Sequence, residues 1–140
     1  MIQRPQTVFL LLGAALLVLF AALTFTWLPG VATLGDGYST ATLVVAVLAA
    51  VVALGAVFLY KDRARQRTVI GVGQGLALAA AVPVLVGLYA AQPVGAAPTE
   101  AAAVPYLAAL MPLAAFVLLR MARRGVDRDI ATIRSMDRLR

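Results

Sequence analysis

Four long stretches without a charged side chain decide what this chain can fold into. Thr7 to Leu28 has 22 residues, Ala41 to Tyr60 has 20, Val69 to Ala91 has 23 and Ala101 to Leu119 has 19. Crossing a hydrocarbon core of about 30 Å takes roughly 20 helical residues at about 1.5 Å each. The runs are continuously apolar rather than alternating, and a helix closes its backbone hydrogen bonds within its own segment, so helix is preferred over strand. The chain has 140 residues, of which 63% are apolar and 13% charged. A soluble domain is roughly 45–50% apolar and about 25% charged, and one this small cannot hide such an excess. The expected fold is therefore all-α. It is a single polytopic membrane domain over residues 1–140, with transmembrane helices at about 7–28, 41–60, 69–91 and 101–119. The tail 120–140 is expected to be cytoplasmic.

Local signals agree with that division. Pro5 precedes the first span, where a missing N–H costs little. Pro29-Gly30 and Gly35-Asp36-Gly37 read as turns, Ser39 or Thr40 as a cap for the second helix and Thr99 as one for the fourth. Short loops between spans make sequential neighbours antiparallel, which gives an up-down bundle. The first apolar run far exceeds the roughly 7–15 residues of a signal-peptide core, so it is expected to be retained.

Charge sets the orientation. Of the 12 basic residues, Arg4 precedes the first span, Lys61, Arg63, Arg65 and Arg67 lie between the second and third, and the rest follow the fourth. With four spans these regions share one side, and the opposite loops carry only Asp36 and Glu100. The positive-inside rule then places both termini in the cytoplasm. Tyr60 at one boundary, with Trp27, Tyr89 and Tyr106 near the other, suits aromatic belts.

Several chemistries are excluded by what is missing. Without histidine or cysteine there are no disulfides, no Cys/His zinc sites, no histidine haem ligands and no imidazole acid–base catalysis. No span carries Asp, Glu, Lys or Arg, which argues against proton-coupled transport. No catalytic residue, cofactor or metal is expected.

The third span is the most informative. Gly71, Gly75, Ala79, Pro83 and Gly87 recur every four residues as a small-residue stripe, suited to close helix packing inside the bundle or against another chain. Gly71-Val-Gly-Gln-Gly75 lacks the spacing and the preceding strand of a nucleotide-binding fingerprint. Gln74 is the one amide within a span; an interhelical hydrogen bond is the plainer reading, a wall of a polar pocket the sharper one. Pro83 and Pro112 each remove a helical hydrogen bond near mid-span.

After Gly125 the chain turns polar but keeps Val126, Ile130, Ile133 and Met136 at helical spacing, which predicts a short C-terminal helix at the membrane interface. Nucleic-acid binding is not expected, because topology already accounts for the basicity. Three segments then carry a resemblance. They are Met1-Ile-Gln-Arg-Pro-Gln-Thr-Val-Phe-Leu-Leu11; Phe58-Leu-Tyr-Lys61 with Arg63, Arg65 and Gln66; and Ile133-Arg-Ser-Met-Asp-Arg-Leu-Arg140. In these the chain resembles the DUF4293 family of small bacterial membrane proteins. The resemblance implies four helices and an inner-membrane location, and it brings no catalytic residues.

These motifs lie at the charged edge. The predicted contact surface for anionic lipid headgroups or a partner comprises Gln3, Arg4 and Gln6, then Lys61, Arg63, Arg65 and Arg67, then Arg134, Asp137, Arg138 and Arg140. Asp137 is expected to pair with Arg4 or a loop arginine. The favoured function is a non-catalytic accessory, assembly or scaffold subunit, working with other membrane subunits or with copies of itself. The alternative is a small transporter or channel for a neutral or lipophilic substrate, with a path past Gln74, Pro83 and Pro112.

Overall fold

A computed structural model describes residues 5–27, 36–90 and 103–137. These residues form four helices and no strand: α1 Pro5–Trp27, α2 Asp36–Phe58, α3 Arg63–Ala90 and α4 Ala103–Asp137. All four are long and apolar enough to cross a membrane, the architecture of a multi-pass helical membrane protein. Each helix packs on two others, in the ring α1–α2–α3–α4 and back to α1.

The interior is built from small side chains. The buried face of α2 is a row of alanines, Ala46, Ala49, Ala50, Ala53 and Ala56, while Val44, Val47, Leu48 and Val51 face outward. Lipid tails are as apolar as leucine, so burying a large side chain brings little gain over leaving it in lipid; close backbone approach and van der Waals contact hold the helices instead. A few large residues fill the axis. One cluster joins Leu10, Leu17, Ile70, Leu119 and Val126, and a second joins Phe20, Ala46, Ala80, Val84 and Ala108.

Leu119 shows how small and large alternate. Its Cδ atoms lie about where side chains on two glycines would begin: 3.5 Å from a Cβ built on Gly13 of α1 and 3.6 Å from one on Gly73 of α3. These contacts fix register as well as distance. Leu119 stands level with Gly73, and Gln6 at the start of α1 lies against Gly125 near the end of α4.

Helix ends depart from the local signals. Helix α2 already begins at Asp36, so Ser39 and Thr40 lie inside it rather than capping it, and Thr99 lies outside the described residues. Helix α3 starts at Arg63, ahead of the apolar run, because Asp62 caps it: its Oδ1 accepts the Arg65 amide at 3.1 Å. Gln66 donates from Nε2 to the Ala56 carbonyl at 2.9 Å, satisfying an end carbonyl of α2 inside the bundle.

The separate short C-terminal helix is corrected. Helix α4 runs unbroken through Gly125 for 35 residues, about 52 Å at 1.5 Å per residue. Gly125 is no breaker here, since its bare Cα receives Gln6, whose Cβ and Oε1 lie 3.1 Å from a built Cβ. Of the expected interfacial stripe, Val126 is fully buried and Ile130 is half-buried against the bundle, while Ile133 and Met136 are exposed.

Truncating Leu119 to alanine leaves a void between two glycines that cannot fill it. Leu119→Ala should destabilise the bundle by about 2–5 kcal/mol, the range for buried leucine truncations. Denaturant titration of helicity in mild detergent measures this; a loss below about 1 kcal/mol would show that α4 does not depend on this seat.

Candidate functional site: an arginine-rich rim

The starts of α1 and α3 and the far part of α4 meet at one end of the bundle. Asp129 of α4 is the hub, accepting from Gln6 Nε2 of α1 at 3.2 Å and pairing with Arg63 of α3. The side chains of Arg63 and Asp129 are 21% and 34% exposed, which places the pair between surface and interior. Beside it Arg67 Nε lies 2.7 Å from Asp127 Oδ1, and Arg65 Nε lies 3.0 Å from Asp62 Oδ2. Lys61 extends over the Tyr60 ring, 6.0 Å from its centroid.

These pairings redistribute the candidate contact residues. Gln6, Arg63, Arg65 and Arg67 are engaged within the chain, and the three arginines at the start of α3 are thereby neutralised. Gln3, Arg4, Arg138 and Arg140 lie outside the described residues, as does the side chain of Asp137, so its expected pairing with Arg4 falls there too. The loop-to-tail link foreseen for Asp137 is supplied, among the described residues, by Asp127 and Asp129.

What pattern reading missed is the face of α4. Arg120, Arg124 and Arg128 are spaced four residues apart and exposed, with exposed Arg134 beyond them, and none has a carboxylate partner among the described residues. The spacing was available as a signal, since residues four apart share one side of a helix. Between the start of α3 and this part of α4 runs a groove of about 1080 Å³, with Ala64, Thr68, Ile130 and Ala131 along it and Arg134 and Ser135 at its far end.

Below the rim, Arg123 turns inward. Its Nη1 donates to Gln74 Oε1 across the α3–α4 seam at 3.4 Å, beside Gly71. The remaining stripe residues behave differently from one another. Gly87 is buried and Gly71 half-buried, but Gly75 and Ala79 are exposed, so the stripe does not line the bundle interior. The reason is periodicity: a step of four residues on a helix of 3.6 per turn drifts about 40° each time, so the stripe spirals onto the outer face. With Gly87, the residues that pack inward are Gln66, Ile70, Gly73, Gln74, Ala77, Ala80, Ala81 and Val84. Along the path considered for a transporter, Gln74 is 5% exposed and Pro112 is fully buried.

Among the described residues no three His, Cys, Asp or Glu side chains gather into a metal-binding group. The arrangement presents exposed guanidinium groups, whose chemistry is to pair with anionic oxygens.

Fold and rim together define a small multi-pass helical membrane protein with a structured basic end. The chain belongs to the DUF4293 family, a domain of unknown function whose model matches residues 2–139. No curated protein and no solved structure matches it.

The three ion pairs should differ in worth with exposure. Double-mutant cycles are expected to give about 0.5–1 kcal/mol for Arg63 with Asp129, and close to zero for Arg65 with Asp62, whose side chains are 80% and 46% exposed. Equal coupling in the two cycles would show that Asp129 is not a hub.

Proposed function

We propose that this protein is a non-catalytic accessory, assembly or scaffold subunit of a bacterial inner membrane, built as an up-down bundle with both termini in the cytoplasm. The observation that carries this reading is the division of charge at the rim. Arginines of α3 are neutralised within the chain, whereas Arg120, Arg124, Arg128 and Arg134 of α4 have no such partner among the described residues. A row of exposed arginines without partners among the described residues, on a helix extending past its bundle, is available for another molecule. The bundle gives that row a rigid base, because Val126 and Ile130 hold the extension to α1 and α3.

Two kinds of anionic partner suit different parts of the row. Arginines near the apolar span meet lipid headgroups, each adding about 1 kcal/mol of attraction to an anionic leaflet. Arg128 and Arg134 stand about 13 and 22 Å along the helix beyond Leu119, past the few ångströms of headgroup region. They suit acidic residues of a partner subunit, and the groove flanked by Arg134 adds apolar surface.

Affinity purification of the full chain from membranes in mild detergent, followed by mass spectrometry, tests this. A recurrent membrane-protein partner is expected, reduced at least about tenfold by combining Arg128→Glu with Arg134→Glu while the protein still accumulates. Recovery as a lone species under several gentle conditions would overturn the reading. Reporter fusions at the C-terminus should report a cytoplasmic location, and a periplasmic signal would reverse the orientation.

A further inference from the structure

Among the described residues, one buried side-chain polar atom has no hydrogen-bond partner: Nε2 of Gln74. The residue is 5% exposed, and its amide cannot be turned round to remove the problem. A guanidinium only donates, so the atom 3.4 Å from Arg123 Nη1 must be the carbonyl oxygen, and the NH2 is left over. Buried donors left unpaired are costly and rare enough to demand an occupant.

The register of the helices says where this atom lies. Gly73 stands level with Leu119, the last apolar residue before Arg120, yet the apolar run of α3 begins four residues earlier, at Val69. The apolar surface of α4 thus stops about 6 Å short of that of α3. Arg120 is left at the edge of the hydrocarbon and Arg123 reaches back below it to Gln74, a depth that the bilayer accommodates by local thinning. Headgroup phosphates are thereby drawn toward the α3–α4 seam.

Gly71 completes the site. A Cβ built there would lie 3.2 Å from Arg123 Nη1, so the bare Cα lets the guanidinium lie close against α3, and a branched side chain would push it away. Every polar group here but the shared oxygen is a donor: the remaining N–H groups of the half-exposed Arg123 guanidinium and, covered behind them on the other side of that oxygen, the Gln74 amide. One tetrahedral anion with several acceptor oxygens bridges such a pair and neutralises the guanidinium. A water molecule would satisfy the amide without answering the charge. The nearby carboxylates Asp127 and Asp129 are occupied by Arg67 and Arg63.

We propose that Gln74, Arg123 and the bare backbone of Gly71 form a binding site for the phosphate group of a phospholipid in the adjoining leaflet. It needs only that the chain spans a membrane, and stands apart from the recruitment of a protein partner.

Native mass spectrometry of the full-length protein in neutral detergent tests it, with three ligands: phosphatidylglycerol, a diacylglycerol with the same chains, and inorganic phosphate. Wild type should retain one phosphatidylglycerol and no diacylglycerol. Arg123→Gln and Gln74→Leu should each weaken retention about tenfold. Gly71→Val should do so as well, although it removes no donor, and Tyr89→Phe at the opposite end should not. Gln74→Leu abolishes the orphaned donor but also the acceptor of Arg123, two opposing effects, so its Tm without lipid should stay within a few degrees of wild type, separating lost binding from lost folding. Equal retention of diacylglycerol, or undiminished phosphatidylglycerol binding by both Gln74→Leu and Arg123→Gln, would overturn the site. Occupation by inorganic phosphate as tight as by the lipid would overturn the membrane as its source.

Discussion

The seat of Leu119 between Gly13 and Gly73 governs the rest of the molecule. In lipid there is little gain in burying one apolar surface rather than another, so a register must be chosen by shape. A large side chain opposite two glycines is such a choice, and sliding α4 by one turn would drive it against side chains that are not glycine. Once α4 is set, Gln6 falls beside Gly125 and Asp129, Arg63 and Arg67 meet Asp129 and Asp127, and Arg123 meets Gln74. Polar contacts at the rim are therefore consequences of an apolar fit about two turns below them.

That arrangement also separates two kinds of arginine. Those on α3 pair with carboxylates, Arg63 and Arg67 tying α3 to α4; those on the outer side of α4 have no such partner among the described residues. Salt bridges of this exposure contribute modestly to stability. Their larger effect is to remove positive charge from one side of the rim and leave it on the other, which gives the end of the bundle a direction.

Much of the architecture was legible from residue order. Four uncharged runs of membrane-spanning length leave few alternatives to four helices, and the segments around Arg4, Lys61 and Ile133 already pointed to the family. Other features were not legible, for identifiable reasons. Gly125 has the look of a stop signal, and only its contact with a glutamine 119 residues earlier in the chain shows why the helix continues. The small-residue stripe is conspicuous by eye at a spacing of four, but a helix turns every 3.6 residues, so Gly75 and Ala79 ended up outside. Gln74 was noticed and its partner was not, because Arg123 lies beyond the apolar run and reaches back. Pairings of Arg63 and Arg67 with residues some sixty positions later depend on register, which periodicity does not reveal.

The length of chain between those partners has a consequence for biosynthesis. Arg63 and Arg67 emerge from the ribosome well before Asp127 and Asp129, the carboxylates that answer them. In the orientation proposed above, both arginines carry undiminished charge while the hairpin of α2 and α3 enters the bilayer, and act at full strength in holding their loop on the side of synthesis. Only when α4 arrives is that charge cancelled. The same residues thus serve first as an address and later as a fastening, and the change of role marks the moment the bundle closes.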